Sequence, residues 1–382
     1  MTITTDNHYV PCEYLKRWAS SDKRIYTYRL LVSHPQVPLW KKSSPRGVAK
    51  LSHLYTRIVA GRETDDIEKW LNREFESPAE EALHKVTSDG RLTPDDWKRL
   101  IRFLAAQDVR TPARLSEDLQ RWDKTLPHLI ESTLQEGVRE LELARKSGHT
   151  LPQLDPHPYA DHLPLRVTTE ILPDQEFGTL TGEILLGRSL WLFGLRQALT
   201  QTVKVLLRHR WTILQAPEGM EWFTSDNPVI RLNYHAPGKY DFKGGWGSPG
   251  SELLLPLSPR HLLYTQIGKR PPERGKIVLH SQVKMIRRFI AEHAHRMIFA
   301  SHHDVEVPRL RPRTEDENLF RNEKEQWKKW HEEQVAAEQE LNSGVKYEGD
   351  RAKQGQVKTM TTVPLPELPF LGLCVREESG NS

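Results

Sequence analysis

The chain has 382 residues, enough for one large domain with embellishments or for two small ones. Hydrophobic residues make up 37% and charged residues 28%, a balance that supports a packed core under an ionic surface and excludes wholesale disorder. The formal net charge of +4, from 55 Lys and Arg against 51 Asp and Glu, is too small for a protein that coats nucleic acid by bulk charge, although it leaves room for a local basic cleft.

Cys12 and Cys374 stand near opposite ends and neither belongs to a CxxC pair, which excludes a disulfide scaffold and a cysteine-rich zinc site. The segment from Met1 to His8 has no basic stretch followed by an apolar one. No run approaches the roughly 18 apolar residues of a membrane helix. A cytoplasmic protein without a membrane partner is expected.

In chain order, Pro11 opens a short helix whose Tyr14, Leu15 and Trp18 share one face, with His8 just before it. Ile25 to Arg29 alternates as a strand, with Val37 to Trp40 as its expected hairpin partner and Leu54-Tyr55 ending a third extended piece. Asp65, Asp66 and Glu68 load the start of a helix carrying Ile67, Trp70, Leu71 and Phe75, and Ser77-Pro78 should break or kink it. Thr93-Pro94-Asp95-Asp96 is a helix start with a hydroxyl cap, and that helix runs to Gln107-Asp108-Val109-Arg110. Thr111-Pro112 begins a long helix that Ser147-Gly148 ends.

Residues 150–165, rich in Pro, His and Asp, predict a loop, and the apolar block Ile184 to Leu207 predicts a central buried helix. From Trp211 the period changes to that of strands: Trp211 to Leu214, Trp222 to Thr224, Val229 to Leu232, Leu253 to Leu255 and Leu262 to Gln266. A helix over Val278 to His295 and a strand at Met297 to Ala300 follow. Beyond Val307 the chain is dense in charge and reads as a mobile helix with flexible flanks, ending in the Pro-spaced stretch Val363 to Leu373. The expected architecture is α+β: a mostly helical body over residues 60–207, packed against a small antiparallel sheet from 211–301. Residues 1–305 form one domain, and 306–382 a charged C-terminal extension fit to recruit a protein partner.

The sharpest local signal is Trp222-Phe223-Thr224-Ser225-Asp226-Asn227-Pro228-Val229-Ile230, a polar turn between two apolar arms. Ser, Asp and Asn favour the turn, and Pro228 pushes Asn227 into an extended conformation. With Asn7-His8-Tyr9-Val10-Pro11, Gln107-Asp108-Val109-Arg110-Thr111-Pro112 and Leu255-Pro256-Leu257-Ser258-Pro259, this stretch resembles the domain of unknown function 4238 family, which is mainly bacterial, in order and spacing over residues 7–301. The resemblance supplies no reaction. It implies that His8, Gln107, Arg110, Asp226 and Asn227 belong to one shared design, and the chain departs from it where Arg287 or Arg288 stands in place of an Asn.

If these residues converge, Asp226 serves as metal ligand or base, Asn227 joins it in the catalytic set, and His8 acts as ligand or proton shuttle. Glu76 adds a second carboxylate, so that Asp226, His8 and Glu76 are the candidate metal ligands. Arg110 can fork onto a phosphate, with Gln107 one helical turn back as a second substrate-binding group. That inventory suits a metal-assisted hydrolase, a phosphodiesterase or nuclease acting on nucleic acid or a nucleotide with a divalent cation. The same residue types also suit a protein-interaction or nucleic-acid-binding module without catalysis, in which Asp226 and Asn227 cap their own turn, His8 bonds to backbone, Arg110 caps a helix end and Glu76 is solvated.

Other patterns fail. Gly245 to Gly250 spells GxGxxG, but Pro249 blocks the helix that a dinucleotide site needs. His293 and His295 sit two apart on a helix and cannot share a face, which argues against a zinc site with His302, His303 and Asp304.

Overall fold

A computed structural model of the chain describes residues 5–59, 62–148, 162–171, 178–343 and 361–362. Most of the expected loop over 150–165, and the whole of the Val363 to Leu373 stretch with Cys374, lie outside the described residues.

Local chemistry sets the helical body. The Thr93 hydroxyl accepts from the Asp96 amide at 3.2 Å and the Asp96 carboxylate accepts from the Thr93 amide at 2.8 Å, a reciprocal cap that starts the helix Pro94–Val109. Arg110 ends that helix, and Thr111, accepting from the Arg114 amide at 3.2 Å, opens the next one, Pro112–Ser147, which stops at left-handed Gly148 (φ 66°). Before them, Asp66–Leu71 continues into a wide π turn over Asn72–Glu76, a 3₁₀ turn over Ser77–Ala79 and the helix Glu80–Thr87. Pro78 lacks the amide that would close a regular turn, so the helix widens and bends there without ending.

The β structure is distributed over several small sheets. The largest is five-stranded and antiparallel, in the order Thr212–Gln215, His261–Gln266, Glu252–Pro256, Ile230–Ala236, Lys239–Asp241. A second, four-stranded and antiparallel, orders Thr224–Ser225, Met297–Ala300, Ile25–Arg29 and Trp40–Ser43. The hairpin partner of Ile25–Arg29 is therefore Trp40–Ser43, further along the chain than Val37 to Trp40. Leu54-Tyr55 lies in a turn after the strand Lys50–Ser52, which pairs with Asp6–His8. The helix His280–His293 puts Val283, Phe289 and Ile290 into one core with Leu254 and Leu262 of the first sheet and Tyr28 and Ile298 of the second. A larger core joins Tyr14 and Trp18 to Phe103, Leu104, Trp191 and Leu206. The architecture is mixed α+β, as expected, with several small antiparallel sheets in place of one. No helix of the described residues is long and apolar enough to cross a membrane.

The apolar block Ile184 to Leu207 divides. Its first residues end the strand Gly178–Leu186, paired with Leu165–Ile171, and the helical part starts at Arg188. The division falls at Gly187, where a Cβ would meet the Gln334 side-chain oxygen at 2.0 Å. Gln334 belongs to the helix Glu317–Ser343, which forms in the charged segment and packs on the body. Its Trp330 is buried in the larger core, Trp327 donates to the Ser52 carbonyl at 2.8 Å, and Gln334 accepts from the Arg188 amide at 2.8 Å.

Gly187→Ala is expected to cost about 1–3 kcal/mol by overpacking, because Gln334 must leave the Arg188 amide without an acceptor. Chemical denaturation measures it, and a midpoint equal to wild type would mean that Gln334 has another place to go.

Candidate functional site

Arg110 is fully buried, yet it carries its charge into a ring of partners. Its Nε donates to the Tyr55 hydroxyl at 3.1 Å, Nη1 pairs with Glu76, and Nη2 donates to the His8 carbonyl at 2.5 Å. The Tyr55 hydroxyl in turn donates to the Arg110 carbonyl at 2.7 Å. Burial works against the guanidinium, but Tyr55, Glu76 and Glu68 outweigh it and raise its pKa. Arg110 is thus the fixed cation around which the N-terminal strand, the π turn and the helix Pro94–Val109 are joined.

Above this cation lies a cavity of ≈ 250 Å³ whose walls include His8, Cys12, Glu13, Glu68, Glu76 and Glu80. His8 donates from Nε2 to the Arg46 carbonyl at 3.0 Å. Glu68 is the chemically distinctive wall. One of its oxygens is buried without a hydrogen bond and lies 3.9 Å from Arg110 Nη2. Burial lifts its carboxyl to about 7, Glu76 pushes the same way, and Arg110 and the His8 backbone amide pull against them. A carboxyl held there exchanges protons at neutral pH.

Glu68 carried no mark in the sequence beyond its place in an acidic first turn. Eight residues separate it from Glu76, about 80° out of phase on a regular helix, and the π turn over Asn72–Glu76 is what lets both approach Arg110.

The polar turn at 225–227 is committed elsewhere. Asp226 is buried, and its two oxygens accept from the backbone amides of His295 at 2.9 Å and Arg296 at 2.8 Å. Burial raises its carboxyl to about 6, against the pull of those amides and of Arg296. Asn227 accepts from the Thr111 hydroxyl at 3.2 Å and donates to the His293 ring at 2.9 Å and to the His293 carbonyl at 3.2 Å. His293 accepts from that amide as a neutral imidazole, and burial lowers its pKa to about 4. His8 and Glu76 face the cavity, whereas Asp226, Asn227 and Gln107 do not line it. Gln107 is fully buried, and its side-chain amide makes no hydrogen bond with the described residues.

The stretches singled out in the sequence nevertheless meet. The Tyr14 hydroxyl donates to the Pro256 carbonyl at 2.6 Å and bonds the Thr224 hydroxyl at 2.7 Å, Arg110 holds the His8 carbonyl, and Thr111 holds Asn227. Four distant segments are thus tied by side chains, so a shared pattern of those residues needs no catalytic explanation. A family model described as "Protein of unknown function (DUF4238)" matches residues 6–304. The chain belongs to that family. No curated protein and no solved structure matches it. The helix Glu317–Ser343, with its buried Trp330, lies beyond the DUF4238 match. Arg287, one of the two arginines at the departure from the expected pattern, is buried against Asp304 (2.5 Å) and donates to the Glu221 carbonyl at 2.5 Å.

Among the described residues, one group of three ligand-type side chains brings its atoms within 4.8 Å of one another: His53, Glu63 and His331. Its separations are plausible for a cation, 3.6 Å from His53 Nδ1 and 3.4 Å from His331 Nε2 to the Glu63 oxygens. Two features oppose coordination in this arrangement. The rings stack at 4.0 Å with planes 15° apart, and imidazole lone pairs lie in the ring planes, so they do not converge on one point. Arg188 also donates to His331 Nδ1 at 2.7 Å, which places the ring proton on Nε2, the atom that would face the metal.

A second arrangement imitates a nucleophilic triad. The Ser258 hydroxyl bonds His261 Nδ1 at 2.8 Å, and His261 Nε2 meets Asp89 at 3.1 Å. Ser258 is buried and its oxygen already accepts from the Arg260 and His261 amides, both at 3.2 Å, which makes it a turn cap.

Proposed function

We propose that this DUF4238 protein is a cytoplasmic hydrolase whose reaction takes place in the cavity above Arg110. The observation that carries the reading is Glu68, a carboxyl with a pKa of about 7 on the wall of a ≈ 250 Å³ cavity beside a buried cation. In this reading Glu68 transfers the proton and Arg110 holds Glu76 and the His8 segment in place. His8 borders the substrate. Gln107 backs the same helix face, and Asp226 and Asn227 position the segments around it. The supported substrate class is a phosphodiester in nucleic acid or a nucleotide. Because Glu13, Glu68, Glu76 and Glu80 border the cavity, an anion would enter with a divalent cation, and Glu76 and His8 on its wall are the residues that would reach that cation, leaving Glu68 to carry the proton.

The competing reading is a module without catalysis, binding protein or nucleic acid, with residues 306–382 contributing a partner surface. It is favoured by the internal hydrogen bonds that occupy Asp226 and Asn227.

Thermal unfolding of wild type and Glu68→Gln against Mg²⁺, Mn²⁺, nucleotides and short DNA or RNA separates the two, because a ligand of the native state raises the midpoint. The hydrolase reading expects a cation or nucleotide to stabilise wild type, and hydrolysis that is lost in Glu68→Gln and weakens in wild type above pH 7, where Glu68 as general acid has given up its proton. A pH test needs no substrate. A carboxyl raised from 4.5 to about 7 contributes stability that is complete below its unfolded pKa and is lost as pH rises through about 7. Glu68→Gln should therefore gain about 1.3 kcal/mol relative to wild type between pH 6 and pH 8. Parallel stability curves for the two proteins, with no ligand shifting either, would leave the module reading in possession.

A further inference from the structure

We infer that the helix Glu317–Ser343 is fastened to the body by a proton-sensitive latch at His331, closed while that imidazole is neutral and loosened when it takes up a proton. The geometry requires the neutral form. Arg188 can only donate, so His331 Nδ1, 2.7 Å from its Nη1, must accept with a lone pair. A proton there would abolish the hydrogen bond and set two cations face to face.

The groups around the ring come from each element packed on it. From the turn after Lys50–Ser52, His53 stacks on the ring at 4.0 Å, with Thr56 bonded to His53 at 3.3 Å. From the hairpin Arg57–Val59 and Arg62–Thr64, Glu63 approaches Nε2 at 3.4 Å, a carboxylate that would favour the imidazolium and works against the latch opening. Arg188 arrives from the helix Arg188–Gln197 and also donates to the His53 carbonyl at 3.3 Å. From the helix's own next turns, Gln334 caps the Arg188 amide and Glu338 accepts from Arg188 at 3.3 Å, with Arg57 acting on Glu338 from the hairpin.

Arg188 is thus the hub through which the appended helix holds the family core, and His331 is its titratable partner. Burial, Arg188 and His53 together lower the His331 pKa to about 4. A depressed histidine contributes stability that is fully present above the ordinary value of 6.5 and is lost as pH falls from 6.5 towards about 4. Glu338, raised by burial, has the opposite slope, so it can only blunt the effect.

The test is amide hydrogen exchange of the full chain at pH 7.5 and pH 5.0, corrected for the intrinsic pH dependence, read in peptides covering residues 324–341. Protection of wild type should fall by about 30-fold at the lower pH, the ratio expected for a proton site moving between about 4 and 6.5. His331→Gln, whose side-chain oxygen can still accept from Arg188 and does not titrate, should hold its protection at both pH values. His331→Arg, which places a cation there permanently, should show low protection at both. Wild-type protection that is flat with pH overturns the latch, and so does a fall of equal size in His331→Gln. Neither outcome bears on the cavity above Arg110.

Discussion

Arg110→Ala is expected to be the most damaging single substitution in the body, lowering stability by about 3–5 kcal/mol, the usual cost of breaking a buried ion pair from one side. The loss comes less from the missing contacts than from what stays behind. Glu76 and Glu68 would face each other beside an empty space with no cation, and the His8 carbonyl and Tyr55 hydroxyl would lose a donor. Arg110→Lys should recover only part of the loss, since one ammonium cannot reach the hydroxyl, the carboxylate and the carbonyl in the directions a planar guanidinium does. Removing the stranded charge should help: Arg110→Met with Glu76→Gln is expected to be more stable than Arg110→Met alone. Urea denaturation of the four proteins measures each term. An Arg110→Ala protein within about 1 kcal/mol of wild type would mean that the cavity is wet enough to solvate both carboxylates, and would remove Arg110 as its organising charge.

Asp226→Ala should follow closely, at about 2–5 kcal/mol, because two buried backbone amides lose their acceptor together. Those amides belong to His295 and Arg296, where the chain leaves the helix His280–His293 and enters the strand Met297–Ala300. Asp226 therefore fixes the angle between a helix and the sheet it covers. Asp226→Asn isolates the charge: it keeps one acceptor and turns an amide donor towards a backbone N–H. Since the Asp226 carboxyl is raised to about 6, its contribution is complete below its unfolded value of 3.8 and is lost as pH rises through about 6, so that slope should vanish in Asp226→Asn. The slope assigned to Glu68, centred about one unit higher, should persist in that variant. If Asp226→Asn also abolished the Glu68 slope, the two carboxyls would have to be treated as one site.

Much of the fold was legible because its signals are local. Thr93-Pro94 and Thr111-Pro112 are helix starts whatever surrounds them, and the strands expected after Trp211 start within a residue or two of their places, although the one from Val229 runs on to Ala236 and pairs with a strand, Lys239–Asp241, that was not expected. Errors arose where a distant residue decided. Ile184 to Leu186 reads as helix by its apolar run, but the chain turns at Gly187 because Gln334 occupies the space a side chain would need. Trp327 and Trp330 stood in a charged segment expected to be a mobile helix, and only its contacts with Ser52 and Arg188 explain why that helix is buried on one side.

The site divides in the same way. The sequence by itself singled out Asp226 and Asn227 through their turn chemistry, and its resemblance to the DUF4238 pattern added His8, Gln107 and Arg110. It also determined the helix starts at Thr93-Pro94 and Thr111-Pro112, the switch to strands after the helical body and the family. Only the tertiary structure decided which of those residues share a space: Arg110 reaches His8 and Glu76, while Asp226 turns its oxygens to the backbone behind His293. Glu68 appeared only there as well. A carboxyl's pKa is set by the solvent and charges excluded or admitted around it, and those come from segments far away in the chain.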